Sequence, residues 1–235
     1  MEKYYRIAGV TVKMNSFGRT EAQAEAYCCK PVQDVDFVVD GTTLSKRYAA
    51  EHPFLNEDMV EYMCSAGSFY KQLLDFDGFM LHASAVVVDN CAYLFSADSG
   101  TGKSTHTQLW LEKFGERAFI LNDDKPALRR EADGWYAYGT PWSGKFDISV
   151  NTRVPLAGIA ILERGHFNKI ERFSGIRAIT GILRQAHRPR EAERREKLLE
   201  ILDKLITEVP IWKLECNLDL EAAAVAYEAM SGKEK

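Results

Sequence analysis

The segment from residue 92 to residue 105, AYLFSADSGTGKST, decides how the rest of the chain is read. Ala92 to Phe95 is apolar and reads as a buried strand. Ser104 to Phe114 reads as a helix with Leu109 and Trp110 on its apolar side. Between them Gly100 and Gly102 flank Thr101, and Lys103 and Ser104 follow. Strand, glycine-rich turn and helix in this order are the setting of a phosphate-binding loop. Glycines let backbone N–H groups turn toward phosphate oxygens, and the helix N-terminus adds partial positive charge. The expected nucleotide contacts are Asp98, Ser99, Gly100, Thr101, Gly102, Lys103, Ser104 and Thr105. Lys103 is expected at the β- and γ-phosphates of ATP, and the Ser104 hydroxyl on Mg²⁺. The full pattern G-x-x-x-x-G-K-[ST] carries Ala97 at its first position here. A Gly-Ser-rich turn that only caps a helix is the competing reading, and the apolar strand before it argues against that.

A nucleotide loop needs acidic partners before it can do chemistry. About twenty residues beyond Lys103, an apolar run ends in Asn122-Asp123-Asp124. One carboxylate of such a pair can hold Mg²⁺, and its neighbour can take the proton of an attacking hydroxyl. Asp-Asp-Lys-Pro is also turn-like, so an Asx turn competes with this reading. His82 lies in the apolar stretch FMLHASAVVV, where a lone histidine is commonly a core group. His106, one turn into the helix, reads as a surface residue. The turn-rich segment Gly139 to Lys145, GTPWSGK, offers Lys145 beside an exposed-leaning Trp142 as a contact to phosphate or to an acceptor. Arg153 and Arg164 are weaker candidates for a similar clamp.

Outward from this centre the pattern mixes strands and helices, the signature of an α/β core. Phe79 to Val88 reads as a strand that turns at Asp89-Asn90 into the next. Leu128 to Tyr138 reads as a hairpin, and Leu156 to Leu162 as a buried strand. Glu191 to Thr207 is an amphipathic helix stopped by Pro210, followed by a strand over Ile211 to Glu215 and a last helix over Leu218 to Met230. Upstream, Tyr4 to Met14 reads as one strand, Asp36 to Val39 as a short one, and Asn56 to Leu74 as a helix interrupted near Gly67. Residues 1–75 are expected to form a small α+β region, and residues 76–235 the domain that holds the loop.

The chain has 235 residues, 46% hydrophobic and 27% charged, with a formal net charge of −4. That balance excludes a disordered chain and argues against a nucleic-acid partner, whose binders are typically basic. The basic cluster from Arg184 to Arg195 is broken by glutamates and reads as a solvated helix face. No apolar run approaches the ~20 residues of a membrane span. Five cysteines without a C-x-x-C spacing suggest free thiols and a cytoplasmic location.

SADSGTGKST resembles the phosphate loop shared by HPr kinase/phosphorylase and phosphoenolpyruvate carboxykinase, and its Asp98-Ser99-Gly100 form is closer to the HPr kinase side. The histidine in the preceding strand, His82, and the pair in ILNDDKPAL, Asp123 and Asp124, extend the resemblance, which spans roughly residues 78 to 165. It implies a P-loop kinase core with a mixed β-sheet. It implies a catalytic-centre role for His82, Asp123 and Asp124 with Lys103, and a metal role for Ser104 and Asp124. The expected activity is transfer of the γ-phosphate of ATP, with Mg²⁺, to a serine-type hydroxyl on a protein, peptide or small molecule. Relatives of that type often form rings, so a homo-oligomer is compatible with it. The alternative is a nucleotide-binding regulatory or scaffold protein of weak activity, motivated by Ala97.

Overall fold

The computed structural model describes residues 3–144 and 146–232. The N-terminal region begins with β1 (Lys3–Ile7) and β2 (Val10–Asn15), antiparallel, followed by α1 (Gly18–Ala24). The expected single strand over Tyr4 to Met14 is thus a hairpin. It reverses at Ala8-Gly9, both with positive φ (50° and 76°), as a two-residue turn between twisted strands requires. Then come β3 (Phe37–Asp40), parallel to β2, α2 (Gly41–Glu51) and α3 (Glu57–Leu73). Asp40 and Asn56 cap the two helices, accepting from Thr43 N at 3.0 Å and Met59 N at 3.1 Å. α3 runs unbroken through Gly67, because it is buried along one face by Tyr62, Phe69, Tyr70 and Leu73. Packing outweighs the roughly 1 kcal/mol that a mid-helix glycine costs.

The larger unit opens with β4 (Gly78–Met80), β5 (Ala83–Val88) and β6 (Cys91–Ser96), then α4 (Lys103–Phe114) and β7 (Ala118–Asn122). The strand expected over Phe79 to Val88 is divided. β4 pairs with β8 (Ala127–Glu131), whereas β5 pairs with β6 and β7. β9 (Gly134–Tyr138) completes a hairpin with β8. The remaining elements are β10 (Arg153–Arg164), β11 (Lys169–Arg172), α5 (Gly175–Gln185), α6 (Ala192–Glu208), β12 (Ile211–Cys216) and α7 (Glu221–Met230).

The nine strands from β4 onward form one mixed sheet among the described residues. β6, β10 and β12 are parallel, and β5 runs against β6 and β7. β10 pairs with β9 over Arg153 to Pro155 and with β12 over Ile159 to Arg164. Helices α5 and α6 cover one face through Ile182, Leu198, Leu202 and Leu205. Trp110 of α4 and Ala222, Ala223 and Ala226 of α7 cover the other, on Val86, Tyr93 and Phe95. A third cluster joins the N-terminal sheet and α3 to Ala127, Tyr138 and Trp142 of the larger unit. The fold is therefore mixed α/β, with a small N-terminal sheet packed on a large one. No helix of the described residues is long and apolar enough to cross a membrane.

Candidate active site

Strand direction assembles the site. Because β5 is antiparallel to both neighbours, its first residues lie beside their last: Ala83 faces Ser96 of β6, and Ala85 faces Asn122 of β7. His82, the loop after Ser96 and the Asp123–Asp124 pair consequently share one edge of the sheet. Ala83 N donates to Asp124 O at 3.2 Å, which ties the edge together.

The loop runs from Ala97 to Gly102 and delivers Lys103 as the first residue of α4. Gly100 and Gly102 have φ of 78° and 119°, and a Cβ on either would meet nothing within 4 Å. Backbone conformation, rather than crowding, calls for glycine here. Lys103 Nζ donates to Ala97 O at 3.0 Å and to Asp98 O at 3.5 Å. Burial lowers its pKa, while Asp124, Asp123 and Asp98 nearby act in the opposite sense. Arg164, at the end of β10, donates through Nε to Thr101 O at 3.0 Å and through Nη2 to Gly100 O. Ser104 and Thr105 stand in the first turn of α4, and the Ser104 hydroxyl makes no hydrogen bond among the described residues. Two clefts flank the loop. One, of about 530 Å³, lies toward Gly181, Arg184 and Gln185 of α5, and one of about 450 Å³ lies toward Cys216 and Leu218.

The two aspartates are held differently. Asp124 Oδ1 lies 3.2 Å from His82 Nε2, and its Oδ2 pairs with the Lys125 ammonium. Burial pushes this carboxyl upward, yet the His82 hydrogen bond and the Lys125 charge outweigh it and bring the pKa to about 2. Asp123 Oδ1 accepts from Ser84 Oγ at 2.6 Å, and Ser84 Oγ also lies 2.8 Å from Thr107 Oγ1 of α4. Among the described residues, Asp123 Oδ2 makes no hydrogen bond. Asn122 shapes the turn, its Oδ1 accepting from the N–H groups of Asp124 (3.0 Å) and Lys125 (2.8 Å). The pair is thus in an Asx turn at the same sheet edge as His82 and the loop.

Gln185, the last residue of α5, bridges the loop and the histidine. Its Nε2 donates to Asp98 Oδ1 at 2.7 Å, and its Oε1 lies 3.2 Å from His82 Nδ1. The sequence reading missed it because α5 was not recognised. Gly175 and Gly181 dilute helix propensity there, although Ala178 and Ile182 do mark one buried face. Lys125, Ser84 and Thr107 were also unread; single polar residues beside apolar runs carry no motif.

Four expectations need correction or restriction. Arg153 is not at this edge: it pairs with Glu131 and stacks over Tyr136 at 4.4 Å. It lies eight residues back along β10 from Ile161, the partner of Ser96, roughly 25 Å away at strand spacing. Of the two arginines, Arg164 is the one that meets the loop. His106 is buried rather than exposed. Trp110 Nε1 donates to its Nε2 at 3.1 Å, so Nδ1 carries the proton and faces Cys216 Sγ at 3.8 Å. Burial lowers the pKa of His106 to about 4, and it serves as a neutral core group. Trp142 is buried too, against Phe69 at 4.9 Å and Tyr70 at 5.4 Å. Lys145 lies outside the described residues.

Among the described residues no cluster of three or more His, Cys, Asp and Glu side chains forms a metal site. Mg²⁺ in nucleotide sites needs less protein than that: one or two carboxylates, a hydroxyl, water and substrate phosphate oxygens. Of the two residues expected to hold it, Ser104 has an unengaged hydroxyl among the described residues, whereas both Asp124 oxygens are engaged, by His82 and Lys125, so Mg²⁺ would have to displace the Lys125 ammonium.

No protein-family model matches the chain. No curated protein matches it. Among solved structures the chain is similar to the Hpr(Ser) kinase/phosphatase from Coxiella burnetii, at 14% sequence identity and a TM-score of 0.41, with 65% of this chain and 97% of that one covered. The relationship is a distant structural one.

Proposed function

We propose that this chain is a cytoplasmic, ATP- and Mg²⁺-dependent phosphotransferase acting on a serine-type hydroxyl. The observation that carries the reading is the convergence, on one sheet edge, of the Gly100–Lys103 loop with Asp123, Asp124 and His82. A loop alone binds phosphate; a loop facing two differently held carboxylates can also move a phosphoryl group. Residues 1–75 act as an accessory unit and residues 76–235 as the kinase domain. Five free thiols suit a reducing compartment.

The loop N–H groups, Lys103 and the α4 N-terminus bind the nucleotide phosphates and stabilise charge on the transferring group. Asp124 and Ser104 would hold Mg²⁺, which when bound neutralises phosphate charge. Asp124 suits this because it stays ionised at ordinary pH, and its low pKa makes it a poor base. Asp123, with one oxygen unengaged, accepts the proton of the acceptor hydroxyl. The acceptor oxygen bonds to the γ-phosphorus as the bond from that phosphorus to the bridging oxygen breaks, and ADP leaves with that electron pair. His82, hydrogen-bonded to Gln185 and Asp124, fixes the Asp124 carboxylate in place.

The test is transfer of the labelled γ-phosphate of ATP by wild type, Lys103→Ala and Asp123→Asn to the protein and small-molecule fractions of a cell extract. Loss of a positioned base costs roughly 10²–10⁴ in rate. Wild type should label an acceptor, and both variants should fall by about that factor. ATP binding without transfer by any of the three would favour the regulatory-protein reading that Ala97 suggests.

A further inference from the structure

A cationic cleft lies away from the phosphate loop. It measures about 690 Å³ and lies between α2 and α3 on one side and the segment 187–191, which links α5 to α6, on the other. Arg47, Lys71, Arg188 and Arg190 line it, against Glu51 and Glu191. Lys71 is matched by Glu191 at 3.1 Å. The guanidinium groups of Arg47, Arg188 and Arg190 have no ion pair among the described residues. Unpaired cations gathered in one concavity of a chain whose net charge is −4 form a local field opposite in sign to the whole. The rim toward the N-terminal helices is apolar, with Met63 58% and Leu44 40% exposed.

The position of the cleft matters as much as its charge. His187 N donates to Met80 O at 3.2 Å, and Ala186 bridges to Leu81. The wall of the cleft is therefore bonded to the backbone just before His82, and it continues from Gln185, which touches both His82 and Asp98. The lining residue His187 thus stands two residues along the chain from the Gln185 contact to His82.

We propose that this cleft docks an acidic, partly apolar peptide segment of the phosphate acceptor. Carboxylates would meet Arg188, Arg190 and Arg47, and apolar side chains would rest on Met63 and Leu44. Exposed ion pairs contribute little singly, so binding depends on several at once and on the apolar contacts. The docking itself stands independently of nucleotide chemistry; only its role in delivering an acceptor hydroxyl rests on the phosphotransferase reading.

The test is fluorescence anisotropy with the full chain, without nucleotide, and a labelled peptide of alternating Glu and Leu, which places carboxylates and leucines on opposite sides when extended. The peptide should bind, and Arg188→Glu with Arg190→Glu should weaken binding about tenfold or more, as should roughly 0.5 M salt. Met63→Ala, which changes no charge, should weaken it about threefold through lost apolar burial. The same peptide with Lys for Glu should not bind. Both charge-reversed positions are exposed, and an unchanged melting temperature and unchanged ATP affinity would show that the fold and the loop are intact. Equal binding of the Glu peptide by wild type and the double variant overturns the proposal. So does full displacement of the peptide by inorganic phosphate, which marks a simple anion site, or Arg188/Arg190-dependent binding to phosphatidylserine vesicles without peptide binding. A wild type that binds the peptide but not ATP keeps this inference and removes the phosphotransferase reading.

Discussion

Glu61 is the residue whose environment most clearly sets a measurable property. It is fully buried in α3, and among the described residues neither carboxylate oxygen has a partner at full hydrogen-bond geometry. The reason is local. Ser65 Oγ donates to Tyr62 O at 3.3 Å, so in its 3.3 Å contact with Thr20 Oγ1 the Thr20 hydroxyl is the donor. The Thr20 and Ser65 hydroxyls beside Glu61 act to lower its pKa, but burial outweighs them. Burial accordingly pushes its pKa to about 7, from an ordinary value of 4.5. A carboxyl whose pKa is raised in the folded state leaves folding unpenalised below pH 4.5; the destabilisation builds as pH rises from 4.5 to about 7 and levels off above that. Glu61→Gln should therefore leave stability nearly unchanged at pH 4.5 and raise it at pH 8, by up to about 3 kcal/mol. Urea unfolding at the two pH values reads this; an equal effect at both would contradict it. Such features were not legible in the sequence. Glu61 sits in an ordinary helical pattern, and only the third dimension shows how fully it is buried. His106 and Trp142 were misread for the same reason. A histidine in a polar first turn and a tryptophan among turn formers look exposed until α7, β12 and α3 close over them. The loop glycines, Lys103 and the aspartates were legible, because their chemistry depends on residue type and spacing along the chain.

At the scale of elements, antiparallel β5 and helix α5 build the site. The hairpin at Asp89-Asn90, both with positive φ, was readable and fixes β5 against β6. Pairing of β5 with β7 across some thirty intervening residues was not, since it is set by burial of Val86 and Val88 against Ile120. α5 is held by Ala178 and Ile182, both buried under α6. Ile182→Ala should cost about 2–5 kcal/mol of stability, measured by denaturant unfolding. Gln185→Leu, at the partly buried end of the same helix, should cost far less stability. It removes the contacts to Asp98 and to His82 together, so it should raise the KM for ATP and lower kcat, whereas Ile182→Ala in still-folded protein should mainly lower the melting temperature. Identical kinetics for Gln185→Leu and wild type would show that the bridge has no part in the site.

The whole molecule is less divided than its sequence suggests. The small sheet ends with β3 and the large one begins with β4, yet one core spans both. Tyr5, Met14 and Phe69 pack in one cluster with Ala127, Tyr138 and Trp142. Arg129 of β8 donates to Ala8 O at 2.8 Å and to Phe76 O at 3.0 Å, and Tyr70 OH donates to Lys125 O, next to Asp124. A fragment of residues 76–235 would expose this shared face, so it should lack the cooperative unfolding transition of the full chain, as read by calorimetry. A fragment that melts cooperatively at the full-length temperature would contradict the shared core. Charge acts locally on this scale as well. A chain of net charge −4 offers ATP no general attraction, so on the proposed reading Lys103, the α4 N-terminus and the loop N–H groups would supply it. The central claim is that these groups and Asp123 act on ATP together. Its most direct measurement is the initial rate of γ-phosphate loss from Mg·ATP by purified wild type and Lys103→Ala. A wild-type rate that falls about 10²-fold or more in the variant is the predicted result; equal rates, or no turnover above buffer by wild type in the presence of acceptor-containing extract, would contradict it.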